Sequence, residues 1–383
     1  MSEAAHDRGV ALQRCDQFVG RTMNWLYDHL RHVPRYRPVV LTDNLANREE
    51  FPELEARLNP RMRLSRRLWR KLAGQRPYPA DRRWLREQSP VLLHSHFGYV
   101  ARGDLPLQHL LEVPWLIGFY GADVYQLGRL EEWQDVYAEI FERVSLVLAL
   151  GPVMADALKA LGCPDEKVEV HPLGVDVVQI PFSPRESRAG EPLKLLFAGT
   201  FREKKGIEYA IDGVHQARSA GVDVVLHLVG DAMSKAGDDE SKRSVLGRIE
   251  SSGLDDVVIR HPFLTFEELL TLALDCHVFL APSVVAANGD SEGTPFVLQQ
   301  LMASGMTAIS TVHSDIPYIF GDQAGLLVPE RDAGAIAQRL IQYRDEPDLV
   351  HAHGVALGEE VRQSLDVSLR AGALADLYAR VLN

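Results

Sequence analysis

Leu193-Lys194-Leu195-Leu196-Phe197-Ala198-Gly199-Thr200-Phe201-Arg202-Glu203-Lys204-Lys205-Gly206 begins as an apolar run and passes through a glycine into a basic turn. The run predicts a buried strand, and the amphipathic stretch from Ile207 to Ala217 predicts a helix after it. The same alternation continues down the chain. Further runs are Val224 to Val229, Val257 to Ile259, Val278 to Ala281, Thr307 to Ser310 and Leu326 to Val328, with a helical pattern from Phe266 to Leu274. Short runs of Val, Ile and Leu ending in turns read as strands covered on both faces, as in a parallel sheet. Strand and helix in strict alternation predict a doubly wound α/β domain.

The first half shows a noisier version. Strands are expected at Gly9 to Leu12, Pro38 to Leu41, Val91 to His94, Trp115 to Phe119, Leu146 to Leu150 and Val168 to His171. Helices are expected at Gln17 to Leu30 and Trp133 to Arg143. The halves are separated by the polar, Pro- and Gly-bearing stretch Pro181 to Pro192, which suits an interdomain linker. The expected architecture is α/β, two Rossmann-like doubly wound domains at 1–183 and 192–366, facing across a cleft. Open α/β sheets bind ligands at the carboxyl ends of their strands, so chemistry is sought in the loops there.

Composition bounds the function. At about 150 residues per domain, the 383 residues make two or three domains. A hydrophobic content of 46% with 25% charged residues excludes a disordered, collagen-like or coiled-coil chain. With 41 basic and 53 acidic residues the net charge is −12, against a nucleic-acid binder that relies on a positive surface. Cys15, Cys163 and Cys276 are odd in number and far apart, which fits no disulfide framework or zinc ribbon and agrees with a reducing cytosol. The first residues lack the pattern of a secretory signal. Leu269 to Ala287 contains Asp275, His277 and Pro282, so it reads as a helix end plus a strand rather than a membrane span.

Two loops carry the chemistry. In Gly199 to Gly206, Arg202, Lys204 and Lys205 sit beside an expected helix N-terminus, whose free amides and dipole favour anions. A diphosphate there would gain charge-assisted bonds of roughly 1.5–3 kcal/mol each. The plain alternative is a solvated basic turn. The second loop, Asn288-Gly289-Asp290-Ser291-Glu292-Gly293-Thr294-Pro295-Phe296, follows the run at Val278 to Ala281. Pro295 suits the first turn of a helix ending near Ser304, with Gly305 as its stop. Were that helix continuous from Glu292, Gln300 would lie about 12 Å away and roughly 80° around the axis. A capping Glu and a surface Gln would look the same.

The segment Glu292-Gly293-Thr294-Pro295-Phe296-Val297-Leu298-Gln299-Gln300-Leu301-Met302-Ala303-Ser304-Gly305 resembles the signature of family 4 retaining glycosyltransferases with the GT-B fold, in which a Glu, seven residues and a second Glu mark the donor site. Gly199 to Gly206 resembles that family's diphosphate turn, His171 to Asp176 the segment before its linker, and Phe119-Tyr120-Gly121-Ala122-Asp123-Val124 a first-domain loop facing the cleft. The resemblance covers about residue 37 to the end and is stronger in the second half. It implies that the second domain holds a nucleotide-sugar, UDP-linked by default, and the first holds a hydroxyl acceptor. It implies that Arg202 and Lys205 neutralise the diphosphate, that Glu292 and the backbone of Gly293, Thr294, Pro295 and Phe296 contact the donor, that Gln300 meets the ribose and that Gly98 approaches the donor. Asp123 and Tyr120 would act at the acceptor side. It also implies no cofactor and no metal, retention of anomeric configuration, a leaving phosphate that takes the acceptor proton, and a final helix at 367–383 crossing back to the first domain.

This chain departs from the pattern at three places. Gln300 replaces the second Glu, Thr200 follows the first loop glycine where Arg is usual, and Tyr120 stands where His is common. A tyrosine is a poor base at neutral pH. His94-Ser95-His96 could begin a metal site, but no third ligand is near in sequence. Asp123 is equally a turn-forming residue. Arg61 to Arg86 carries ten basic residues and one acidic one, and Arg66, Arg67, Arg70 and Lys71 share a face at helical spacing. That patch suits an anionic membrane surface, an anionic acceptor or plain solvent. One G-x-S-x-G match, Gly289 to Gly293, places Ser291 too far past its strand for a hydrolase elbow.

The expected protein is therefore a cytoplasmic glycosyltransferase, peripheral on the membrane if the basic segment acts there, serving polysaccharide, glycolipid or glycoconjugate synthesis. A nucleotide-sugar 2-epimerase or isomerase of the same fold, and a nucleotide-sugar-binding protein without transfer, are the alternatives.

Overall fold

In a computed structural model, the structure describes residues 9–19, 24–47, 49, 51, 54–58, 79–233 and 237–383. The chain divides into two compact units, one ending at Gly174 and resuming at Val367–Asn383, the other Val175–Asp366.

The first unit is built on a seven-stranded sheet of β1 (Gly9–Phe18), β2 (Tyr36–Leu45), β3 (Glu55–Leu58), β4 (Pro90–His96), β5 (Trp115–Gly118), β6 (Leu146–Ala149) and β7 (Val168–Val170). The order is β3-β2-β1-β4-β5-β6-β7, and every pairing is parallel. Successive strand residues point to opposite faces. Leu92 with Leu93, and Leu116 with Ile117, are nevertheless fully buried as neighbours, so both faces are covered. The helix Val367–Leu382 supplies part of that cover. Its Ala371, Leu374, Ala375 and Tyr378, at helical spacing, pack on Ala11, Leu92, Leu116 and Leu146.

The second unit holds β8 (Leu193–Ala198), β9 (Val224–Val229), β10 (Val258–His261), β11 (Val278–Ala281) and β12 (Thr307–Ser310). They form a parallel sheet in the order β10-β9-β8-β11-β12. Helices Ile207–Ser219, Asp238–Ser251, Phe266–Leu274, Phe296–Ala303, Ala333–Asp345 and Asp348–Ser364 are its longer helical elements. Thr265 and Glu268 close a reciprocal capping box at the start of Phe266–Leu274. Both units are thus Rossmann-like parallel α/β layers, as the alternation predicted. No helix among the described residues is long and apolar enough to cross a membrane.

Several elements differ from their expectation. Leu326 to Val328 is not a strand: a 3-10 segment, Gly321–Leu326, precedes an isolated bridge between Thr311 and Val328. Pro329, which lacks an N–H, stops that ladder from growing. Gln17 and Phe18 do not start a helix but extend β1 in register with Asn44 and Leu45, and the helix runs Asn24–His32. Strand β3, with its half-exposed Glu-Ala-Arg-Leu, has no apolar run to announce it. β10 reaches His261 because an edge strand tolerates Arg260 and His261.

Composition marks 181–192 as the join, whereas the units divide after Gly174. Val175, Val177 and Ile180 are buried with Leu357, Val361 and Leu365 of the second unit. Arg185 is buried there too, donating to the Ala273 carbonyl at 3.2 Å and the Ser304 carbonyl at 2.6 Å. The Pro- and Gly-bearing stretch is an ordered strap on that unit. Arg66, Arg67, Arg70 and Lys71 lie outside the described residues.

Candidate functional site

Between β8 and β11 the strand order reverses, with Leu195 paired to Val278. The loops leaving two such strands diverge and open a crevice at the carboxyl edge. The loop after β8 turns through one 3-10 turn, Glu203–Lys205, and ends at Gly206 with φ +64°. A Cβ at Gly206 would stand 1.8 Å from the carbonyl oxygen of Pro282, so glycine is what lets the β8 loop close onto the β11 loop.

The loop after β11 has no regular structure, yet its backbone is held along its length. Val284 N–H donates to the Lys204 carbonyl at 2.9 Å, Val285 N–H to Glu330 Oε2 at 3.0 Å and Ala287 N–H to Glu203 Oε2 at 3.0 Å. Thr311 Oγ1 donates to the Ser283 carbonyl at 2.5 Å. Farther along, Glu292 N–H donates to His313 Nε2 at 3.1 Å. Backbone polar groups need partners, and in this loop three of the N–H groups, those of Val285, Ala287 and Glu292, find them on side chains of other loops.

Those constraints bring the charges together. Lys205 Nζ lies 3.1 Å and Lys204 Nζ 3.4 Å from the same Glu292 Oε1. Lys204 Nζ also lies 3.1 Å from Asp290 Oδ1. Burial alone would raise the Glu292 pKa, but the two ammonium groups outweigh it and hold the carboxyl at about 2. Burial likewise opposes charge on Lys204, yet Glu292 and Asp290 raise its pKa. Arg202 is engaged elsewhere in the same loop, at 3.1 Å from Asp238 and 3.6 Å from Asp290.

Gly293, Thr294 and Pro295 are buried and lead into the helix Phe296–Ala303, with Pro295 one residue ahead of its first turn. The opening amides of a helix have no partner within it. Beside them Thr294 Oγ1 is buried without a hydrogen-bond partner. Gln300 lies within the helix, 8% exposed. Glu292 lies before the helix, so the separation expected for a continuous helix does not apply. Gly305, with φ +80°, ends the helix as expected.

Sequence reasoning passed over Asp290, His313 and Glu330, and it counted Lys204 only as one of three cations in the turn, with no contact of its own. His313 and Glu330 carry no motif: Ser310 is paired with Ala281, and that register sets the residues after β12 beside the β11 loop. Ser291 Oγ stands 3.0 Å from His313 Nε2, and His313 Nδ1 stands 2.5 Å from Glu330 Oε1. This chain of contacts has the outline of a nucleophile triad. Ser291 is however only 4% exposed and ten residues past the end of β11, with no strand–helix elbow.

The remaining expected residues belong to the first unit. Asp123 Oδ1 accepts the N–H groups of Tyr120 and Gly121 at 3.0 and 2.9 Å, and Oδ2 accepts that of Gly98 at 3.0 Å. Burial raises its pKa against these donors. Asp123 therefore ties the loop after β5 to the loop after β4. A Cβ on Gly98 would meet the Phe119 ring at 2.6 Å, so this glycine is needed for packing. Burial pushes the Tyr120 phenol well above its ordinary value, and its hydroxyl lies 2.7 Å from His96 Nδ1. His96 Nε2 is also engaged, by Gln13 Oε1 at 3.0 Å, and His94 Nδ1 meets Tyr378 OH at 2.8 Å.

Comparison with known proteins adds to this geometry. The sequence model described as Glycosyltransferase Family 4 matches residues 20–179, and that described as Glycosyl transferases group 1 matches residues 192–345. A glycosyltransferase of Escherichia coli K12 named for colanic acid biosynthesis, WcaL, is 37% identical over 253 residues, 65% of this chain and 60% of the relative. Its counterpart in Salmonella typhimurium LT2 is 34% identical over 292 residues, 75% of this chain and 70% of the relative. Anabaena HepE, solved with UDP and glucose, superposes with a TM-score of 0.78 at 15% identity, covering 97% of this chain and all of that one (100%). That likeness bears on fold alone.

Proposed function

The chain belongs to glycosyltransferase family 4, and we propose from that premise that it moves a hexose from a UDP-sugar to a hydroxyl acceptor during assembly of a polysaccharide. The observation that carries the reading is the convergence of Lys204, Lys205 and Glu292 at the switch point of the second sheet, next to the free amides of the helix Phe296–Ala303. The names of the colanic acid relatives support the polysaccharide context. The UDP and glucose of the HepE structure support the donor.

In this reading the diphosphate takes Lys205 from Glu292, and the helix amides hold its other face. Positive charge fixed before the reaction stabilises the leaving UDP. Thr294 Oγ1 gains the partner it lacks within the protein. The carboxylate freed from Lys205 accepts hydroxyls of the donor sugar. Transfer proceeds with retention, the leaving phosphate accepting the proton of the acceptor hydroxyl, with the lysines and amides supplying the charge that a metal would bring elsewhere. Tyr120, held neutral, serves as a hydrogen-bonding group and not as a base.

A thermal-shift screen against UDP, GDP, ADP and their sugars tests the reading. A ligand that binds only the folded chain raises the melting temperature. UDP and a UDP-sugar should raise it most; no shift with any nucleotide would end the proposal.

A further inference from the structure

His313 is fully buried, lies outside every motif, and holds the backbone of Glu292, the residue on whose carboxylate the proposed reaction turns. Its two ring nitrogens have fixed and opposite duties. The backbone N–H of Glu292 can only donate, so Nε2, at 3.1 Å, must present a lone pair. Ser291 Oγ lies 3.0 Å from the same nitrogen, and its hydroxyl donates to the Glu292 carbonyl at 3.3 Å. The proton of the neutral ring therefore sits on Nδ1, where Glu330 Oε1 accepts it at 2.5 Å. Glu330 is itself located by the Val285 N–H on its other oxygen, at 3.0 Å. The ring thus stands in a single tautomer between an acidic lock and the loop it holds.

From this geometry we infer that His313 is a positioning residue: locked by Glu330, it fixes the Ser291–Glu292 backbone so that the Glu292 carboxylate meets Lys204 and Lys205 rather than swinging away. The inference rests on the donor-site reading above. It assigns the Ser291–His313–Glu330 chain to orientation and not to nucleophilic attack. A nucleophile's base must be free to take the hydroxyl proton, whereas this Nε2 already receives the Glu292 N–H. Without the ring acceptor the Glu292 N–H is left buried and unpaired, and the loop must move to satisfy it. A shift on the order of 1 Å at a sugar-contacting carboxylate is enough to cost about 10²-fold in rate. Ordinary core packing makes a different demand, because it needs only the ring's volume.

The test uses the full chain with UDP-glucose and UDP-galactose, reading UDP release for kcat and KM, and UDP affinity by calorimetry. Nitrogen NMR of the histidine rings should show His313 protonated at Nδ1 and bare at Nε2. His313→Gln keeps an acceptor near the Nε2 position and should stay within about threefold of the parent kcat; His313→Leu keeps volume alone and should lose at least about tenfold, with UDP affinity within about threefold. Ser291→Ala should stay close to the parent. A ring protonated at Nε2, a fully active Leu variant, or a Gln variant as poor as Leu would each overturn the inference. Ser291→Ala as damaging as His313→Leu would overturn it in favour of a nucleophilic serine. Should the Leu variant fail to fold, Glu330→Ala, which removes the acceptor from Nδ1 and leaves the ring, carries the kcat comparison, and parental kcat there overturns the inference. A parent chain that binds no UDP and releases none would instead remove the donor-site reading, while the tautomer would still be read directly.

Discussion

Lys205 Nζ stands 3.1 Å from Glu292 Oε1, joining the turn after β8 to the loop after β11. Neither loop is a phosphate cradle alone. The first supplies cations, the second a carboxylate and the start of a helix, and adjacent parallel strands bring them together. In the proposed donor site the carboxylate takes the place that a diphosphate oxygen would take on Lys205. Binding is then an exchange of anions on a lysine, and removing either partner has a defined sign.

Lys205→Ala should weaken UDP binding by about 1.5–3 kcal/mol, the worth of a hydrogen bond to a charged group. Glu292 keeps Lys204 as a partner in that variant, so the fold should hold. Isothermal calorimetry on the folded variant decides; unchanged affinity takes Lys205 out of the donor site.

Lys204→Met should fail differently. Its ammonium touches Asp290, the Ser291 carbonyl and Glu292, and its side chain is only 12% exposed. Losing it leaves two buried carboxylates short of a counter-charge, a change that costs about 3–5 kcal/mol when a buried pair is broken. Urea unfolding should show that loss, which Lys205→Ala should not. Equal midpoints for the two lysine variants would refute the division of labour between stability and binding.

Much of this was legible in the sequence. Leu193 to Ala198 and Val278 to Ala281 gave their strands away because burial on both faces demands runs that are almost wholly apolar, Lys194 being the exposed exception. Gly206, Pro295 and Gly305 marked their turns because each needs a particular backbone. The rest depended on register and on side-chain contacts at long separation. His313 reaches Glu292 only because Ser310 lies beside Ala281, and no local pattern carries that pairing. Arg202 looked equivalent to its neighbours in a basic turn, and only the fold shows Asp238 taking it. The strap at 181–192 misled because Pro, Gly and polar residues describe an ordered coil as well as a linker.

Acid should weaken the fold through Glu292. Burial raises its pKa and the lysines lower it, and the net value is about 2 against an ordinary 4.5. Below about 4.5 the unfolded chain therefore binds a proton that the folded one refuses, and stability falls as pH falls. The contribution is complete above about 4.5, is lost progressively toward 2, and amounts to roughly 3 kcal/mol at most. Glu292→Gln lacks this titration. Its stability difference from the parent in urea should shrink between about pH 5 and pH 3. A difference that stays constant across that range would mean the carboxylate is not held by the lysines.

Gly206→Ala separates backbone strain from loop contact. Gly206 has φ +64° and Gly253 has φ +61°, so alanine pays the same left-handed penalty at either site, about 1–2 kcal/mol. Their surroundings differ. A Cβ at Gly253 meets nothing within 4 Å, whereas at Gly206 it falls 1.8 Å from the Pro282 carbonyl oxygen. That contact lies between the β8 turn and the first residue after β11. Relieving it should displace the turn that carries Lys204 and Lys205 relative to the loop that carries Glu292. Gly253→Ala should therefore lower the unfolding midpoint modestly and leave UDP affinity alone. Gly206→Ala should lower the midpoint further and weaken UDP at least about tenfold, since the cations and the helix amides no longer share one diphosphate. Should both variants lose stability equally and bind UDP alike, the closeness of the two loops would have no part in the site.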